Sequence, residues 1–183
     1  WLDVTASATL KGDGEQIAKE ISNRMKSELG ITVSIGVSFN KIFAKLGSDM
    51  KKPDGVTVIS RDDFQEKIWN LPANEMLGVG MKTYKKLWYR GIRTIGDIAN
   101  CDPDRMQTYL GKMGQVLWVY ANGYENSPVM QENERCPIKS IGHGTTTTAD
   151  LDTEREGFDT IIELSEEIGT KLRKNRLKSC GVA

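Results

Sequence analysis

No apolar run in this sequence approaches the roughly 18 to 20 consecutive residues that a membrane-crossing helix needs. There is also no charged-then-apolar start of the secretory kind. A soluble, cytoplasmic protein with no membrane partner is the expectation. Histidine occurs once and cysteine three times. Cys101, Cys136 and Cys180 are odd in number, widely spaced and without a CxxC pair, so neither a disulfide framework nor a zinc site is supported, and reduced thiols are expected. Charge of one sign is missing as well, because 25 Lys and Arg balance 25 Asp and Glu. Taken alone, that balance argues against a nucleic-acid binder, since phosphate backbones select for clustered cations. What remains is 38% hydrophobic and 27% charged, the composition of folded protein.

The distribution of charge says more than its sum. From Met76 to Gly96 there are five basic residues, Lys82, Lys85, Lys86, Arg90 and Arg93, and no acidic one. From Lys171 to Lys178 there are five more, again with no acid between them. The second run reads either as a solvated helix end or as a contact for template phosphates.

Hydrophobic periodicity divides the chain. Trp1 to Thr5 alternates like the end of a strand. Ile17, Ile21, Met25 and Leu29 recur every fourth residue and predict a helix ended by Gly30. Ile31, Val33, Ile35 and Val37 alternate with small polar residues, predicting a strand whose small-residue face something approaches closely. Asn40 to Met50 is helical in spacing, a turn at Lys51 to Gly55 follows, and Gly55 to Ile59 is a short strand. Ser60 is placed to cap a helix from Arg61 to Asn70. Residues 1–71 thus form a partial α/β layer. From Leu71 the texture changes to short helices separated by glycine turns, an all-helical domain over 72–123. Residues 124–137, without periodicity, read as a linker. Residues 138–183 open with a Thr-rich strand over Ile138 to Thr148, continue with a long helix, and end as a strand entered at Gly181, a truncated α/β domain. The fold class is α+β.

The sharpest chemical signal is Leu77-Gly78-Val79-Gly80 between two short helices. Helix-hairpin-helix units have this form: glycines let the backbone approach a phosphate without an intervening Cβ, and the second helix starts with unpaired N–H groups aimed outward. A plain turn between helices is the alternative. Lys82 and Lys85, just after the turn, and a related unit Leu110-Gly111-Lys112-Met113-Gly114 favour DNA contact. Candidate backbone-contacting residues are Gly78, Val79, Gly80, Lys82 and Lys85, with Gly111, Lys112 and Gly114 in the second unit. Lys52, ending a helix before Pro53 and Gly55, has the position to offer a point charge to a triphosphate, or it is a solvated surface lysine. His143 reads as a polar strand-edge residue. Trp69, Trp88 and Trp118 fall at helical positions that predict core packing rather than base stacking.

Four stretches in this order, WLDVTAS at the start, VSIGVSFNKIFAKLGSDMKKPDGVTVI at Val33 to Ile59, the LGVG hairpin, and KSIGHGTTTT at Lys139 to Thr148, resemble the Y-family translesion DNA polymerases of the DinB type over nearly the whole chain. The resemblance implies a partial palm over 1–71, a thumb over 72–123 and the start of a little finger at 138. It implies that Lys52 meets the phosphates of an incoming dNTP, that Gly78 and Gly80 lie along a primer-template backbone, and that Asn40, Lys41 and Lys45 sit at motif positions near the palm. It further implies two-metal, Mg2+-dependent nucleotidyl transfer in the intact protein and a sliding clamp as a further partner. The family's metal-holding carboxylates would lie upstream of Trp1, so no catalytic or metal-binding residue is expected here; Asp3 is a strand-end polar residue, not a metal ligand. A non-catalytic, sequence-independent DNA-binding module is the alternative. An exposed sheet edge would favour an edge-mediated dimer.

Overall fold

A computed structural model describes residues 1–132, 134 and 137–181. The thiol of Cys136, and the expected terminal strand beyond Gly181, lie outside them. The chain divides into two compact units, Trp1–Met130 and Gln131–Ala183. Among the described residues no helix is long and apolar enough to cross a membrane.

The first unit begins without the expected strand. The Asp3 carboxylate accepts the Thr5 N–H at 3.0 Å, and a 3-10 turn, Thr5–Ser7, leads into α1, Ala8–Lys11. Helix α2, Gly14–Leu29, is closed at its start by a reciprocal capping box between Asp13 and Gln16, and at its end by Gly30 in the left-handed conformation. Strand β1, Ile35–Ser38, pairs in parallel with β2, Val56–Ile59, in the register Ile35 to Val56 through Ser38 to Ile59. It is shorter than the alternation from Ile31 suggests, because β2 begins at Val56 and the Gly55 carbonyl reaches back only as far as the Ile35 N–H, at 2.8 Å. Helix α3, Lys41–Met50, starts under the Asn40 side chain, which accepts the Phe43 N–H at 2.8 Å.

Helix α3 is what lies on the small-residue face of β1. A Cβ on Gly36 would fall 1.9 Å from the Ala44 carbonyl oxygen and 2.6 Å from the Ser48 nitrogen. Helix α4, Phe64–Ile68, is shorter than the expected span from Arg61. Ser60 does not cap with its hydroxyl; its N–H donates to Asp63 Oδ1 at 2.8 Å, and residues 61–63 form a turn. Hydrogen bonds from Lys67 and then from Ser60 hold the Asp63 carboxyl at about 2.

The rest of the unit is helical: a 3-10 turn at Ala73–Glu75, α5 (Met81–Trp88), α6 (Ile95–Asn100), α7 (Pro103–Leu110) and α8 (Lys112–Ala121). Each break has a local cause. Helix α5 stops where the Ile92 N–H bonds the Leu87 carbonyl and the Gly91 N–H bonds that of Trp88, a Schellman pair that buries Leu87 and Ile92. Thr94 and Asp97 form a capping box for α6, and Asp102 caps α7 with Pro103 at its first position.

One core runs through sheet and helices. Phe43, Leu46 and Ile59 join Ile68, Met76, Leu87, Ile95, Ile98, Met106 and Leu117 in a single buried cluster. An aromatic group forms the joint: Phe43 stacks on Phe64 at 5.3 Å, Phe64 meets Trp69 edge-on at 6.3 Å, and Trp69 Nε1 donates to the Ala121 carbonyl at 3.2 Å.

The second unit holds α9, Glu154–Lys174, started by a Thr153–Glu156 capping box and with no fully buried residue. Its apolar side stays in solvent, with Phe158 63% exposed. The expected strand over Ile138 to Thr148 is absent: among the described residues no strand lies beside this stretch to take its backbone hydrogen bonds. His143 is tied to α9 rather than to a strand edge, with Nε2 2.6 Å from Glu167 and Nδ1 2.9 Å from Lys171 Nζ.

Two glycines separate packing from backbone strain. Gly36→Ala drives a Cβ into a backbone carbonyl and is expected to lower stability by about 1 to 3 kcal/mol. Gly30→Ala meets no neighbour but forces φ 69° on an L-residue, a loss of about 1 kcal/mol. Urea unfolding of the two variants checks this; a tolerated Gly36→Ala would contradict the close α3–β1 packing.

Candidate nucleic-acid interface

The first glycine turn is built by internal hydrogen bonds that leave its outer amides free. Val79 is buried and its N–H donates to the Met76 carbonyl at 3.0 Å. Gly78 takes φ 92°, which only glycine adopts without strain, and Gly80 stands at the N-cap of α5 with an ordinary φ of −76°. The Gly80 carbonyl accepts the first helical bond, from the Tyr84 N–H at 2.9 Å. Among the described residues, the N–H groups of Gly80, Met81 and Lys82 have no acceptor in the chain.

The second turn has the same outcome by a different route. Gly111, at φ 65°, gives its N–H to the Gln107 carbonyl at 2.7 Å. Gly114 gives its N–H to the Gly111 carbonyl at 2.9 Å and lies buried inside α8, where a Cβ would fall 1.9 Å from the Met106 carbonyl oxygen. Lys112 and Met113 keep unclaimed amides among the described residues. The turns adjoin: a Cβ on Gly78 would fall 2.6 Å from Met113 Cε.

Capping sets these two helices apart. Of the helices eight or more residues long, α2, α3, α7 and α9 carry a side-chain cap on the first turn, from Asp13, Asn40, Asp102 and Thr153. Helices α5 and α8 start at glycine, with no side-chain cap and no acidic residue in the first turn. An uncapped N-terminus presents partial positive charge and several donors to whatever anion arrives. Lys82, Lys85 and Lys112 are exposed beside these turns.

Three of the expected contact residues take another role. The N–H groups of Val79, Gly111 and Gly114 are occupied inside the protein, so these residues shape the turns and the outward donors are their neighbours. Lys52 is exposed at the end of α3 and paired with Asp49 at 2.6 Å; Lys45 pairs with the same carboxylate at 2.5 Å. The Asp49 carboxyl is lowered by its hydrogen bonds with Lys45 and then Lys52. Lys41 donates to the Pro128 carbonyl at 3.0 Å, and Asn40 caps α3, so both have work within the fold.

Trp69 and Trp118 pack against the core. Trp88 does not; it is 45% exposed, with the Arg93 guanidinium over its ring at 4.5 Å. The next residue, Tyr89, is 85% exposed. Helical periodicity did not single out this pair, because the burial of Leu87 beside them carries the apolar signal. Among the described residues no group of three His, Cys, Asp or Glu side chains could hold a metal ion.

The impB/mucB/samB family matches residues 1–49. DNA polymerase IV of Acetivibrio thermocellus is 53% identical over 178 residues, covering 97% of this chain and 45% of that protein. DNA polymerase IV of Alkaliphilus oremlandii is 43% identical over 176 residues, 96% of this chain and 44% of that protein. Among solved structures, DinB from Sulfolobus solfataricus superposes with a TM-score of 0.62 at 30% identity, covering 70% of this chain and 38% of that one. Over nearly its whole length the chain is similar to the DinB-type Y family. It spans less than half the length of the curated DinB-type relatives it matches. The structure carries the helix-rich mixed fold and small parallel sheet of those neighbours.

The geometry at Gly80 gives an unusual expectation. A Cβ there meets nothing within 4 Å, so Gly80→Asp supplies the missing cap to α5 and raises stability by a few tenths to about 1 kcal/mol. Gly78→Ala, at positive φ and against Met113, lowers it by about 1 to 2 kcal/mol. Thermal unfolding of both variants is the check, and a destabilised Gly80→Asp would mean that the α5 amides already have partners.

Proposed function

We propose that this chain holds duplex DNA through its two glycine turns, as the palm (residues 1–71), thumb (72–123) and first part of the little finger (from 138) of a damage-bypass DNA polymerase. The observation that carries the reading is the adjoining pair of uncapped, acid-free helix starts at Gly80 and Gly111. Main-chain N–H groups at two neighbouring helix starts suit consecutive phosphates of a backbone and read no base sequence. The acid-free run of α5 and the loop after it adds long-range attraction. Close relatives named DNA polymerase IV supply the polymerase reading.

Lys52 is the proposed contact for the phosphates of the incoming nucleotide. Its present partner, Asp49, is a surface carboxylate, and an exposed pair of this kind is worth no more than about 1 kcal/mol, so a triphosphate would displace it readily. The family's magnesium ions would supply activation of the primer hydroxyl. The described residues do not fit a divalent-metal pair. The part proposed for this chain is holding duplex and triphosphate, within an intact enzyme that also meets a sliding clamp.

Fluorescence anisotropy with a labelled duplex tests the hairpin role. Log affinity should fall linearly with log salt, with a slope of about −0.9 per phosphate neutralised, and differ little among duplex sequences. Gly80→Asp should weaken binding at least tenfold while the fold stays intact. Unchanged affinity in that variant would overturn the assignment.

A further inference from the structure

The acid-free stretch from Met76 to Gly96 carries two surfaces. One is the glycine turn at the start of α5. The other lies at the far end of the same helix, eight residues on, or about 12 Å along the axis. An anion held by the α5 N-terminal amides sits beyond Gly80, so this far end faces away from it.

At the far end, aromatic faces and cations are interleaved. Tyr89 is 85% exposed and Trp88 45%. Trp88 is braced from within by Tyr84, edge-on at 5.8 Å, and the Arg93 guanidinium lies over its ring at 4.5 Å. The Arg90 guanidinium lies over Tyr109 at 4.6 Å and donates to the Lys86 carbonyl at 2.8 Å. These contacts hold two guanidinium groups in place beside an open tyrosine. Lys85 and Lys86 are exposed on the same helix. A solvated basic helix needs no exposed ring, and a core helix would have buried both; neither ordinary role accounts for Tyr89.

We infer that Trp88 and Tyr89, with Lys86, Arg90 and Arg93, form a second nucleic-acid site that takes single-stranded DNA or RNA by stacking an unpaired base on Tyr89. Duplex DNA has no free base face to offer a ring, whereas a single strand offers one at each nucleotide. An acidic polypeptide would use the cations but leave the ring idle. The cations set strand attraction and the tyrosine sets the requirement for bases.

The site is separable from the glycine turns. With the full 183-residue chain, labelled oligothymidylate, an abasic strand of equal length and charge, poly-glutamate of equal charge, and a blunt duplex are compared by anisotropy at 0.15 M salt. Oligothymidylate should bind roughly tenfold more tightly than the abasic strand. Tyr89→Ser should remove that difference, Tyr89→Phe should restore it, and both should leave duplex affinity unchanged. Gly80→Asp should do the reverse, weakening the duplex and sparing the base-dependent term. Equal affinity for the abasic strand would overturn the stacking site, as would poly-glutamate binding as well as oligothymidylate, which would point to an acidic protein. Loss of duplex binding in Tyr89→Ser would merge the two surfaces into one. Failure of the duplex arm alone would count against the glycine-turn reading and not against this one.

Discussion

Backbone N–H groups at the start of a helix need acceptors, and how each helix supplies them organises this protein. In four of the six described helices of eight or more residues a side chain closes the start: Asp13, Asn40, Asp102 and Thr153 each occupy a first-turn amide. Where a glycine stands instead, at Gly80 and Gly111, the donors are left to solvent or to a ligand. Glycine at Gly80 is not demanded by backbone strain, since its φ is ordinary and a side chain would find open space. Gly80 is thus a residue that neither backbone strain nor packing requires, standing where a capping side chain would fit.

The remainder of the first unit keeps those two helix starts side by side. Met113 sits against Gly78, Gly114 lets α8 close on the Met106 carbonyl, and Leu117 and Met106 are fully buried beneath the turns. The same cluster continues through Ile68 and Phe43 into the two-stranded sheet. The aromatic joint of Phe39, Phe43, Phe64 and Trp69 lies between the α/β layer and the helices, and Gly123 fits against two of its rings. Displacement of either hairpin would therefore have to disturb a core reaching back to β2, which makes the turns rigid donors rather than mobile loops.

Sequence pattern gave the helices more faithfully than the strands, for a physical reason. A helix satisfies its own backbone, so Asp102-Pro103, Thr94 with Asp97, and Gly30 mark real ends wherever they occur. A strand needs a neighbour. Trp1 to Thr5 and Ile138 to Thr148 have strand-like composition but no partner among the described residues, and neither pairs. The glycine turns were legible as a motif, yet the assignment of donors within them was not. Which amide is free depends on whether Met76 or Gly111 already accepts it. Lys52 was legible as the lysine that follows α3, but its pairing with Asp49 emerges only when the helix brings residues three apart together. The exposure of Trp88 was hidden because an aromatic residue next to a buried leucine looks like core until the Schellman turn at Gly91 fixes which face points inward.

Net neutrality does not preclude a locally basic surface, because the charges are unevenly distributed along the chain. Several acids cap helices or pair locally: Asp97 holds the Arg93 and Thr94 amides, Asp63 holds Lys67, and Asp49 holds Lys45 and Lys52. None falls between Met76 and Gly96. At physiological ionic strength charges more than about 8 Å apart are largely screened, so an approaching phosphate responds to the α5 neighbourhood rather than to the total of the chain. Lys82 and Lys85 beside one uncapped helix start and Lys112 beside the other give that neighbourhood a local positive field without any excess of charge in the chain as a whole.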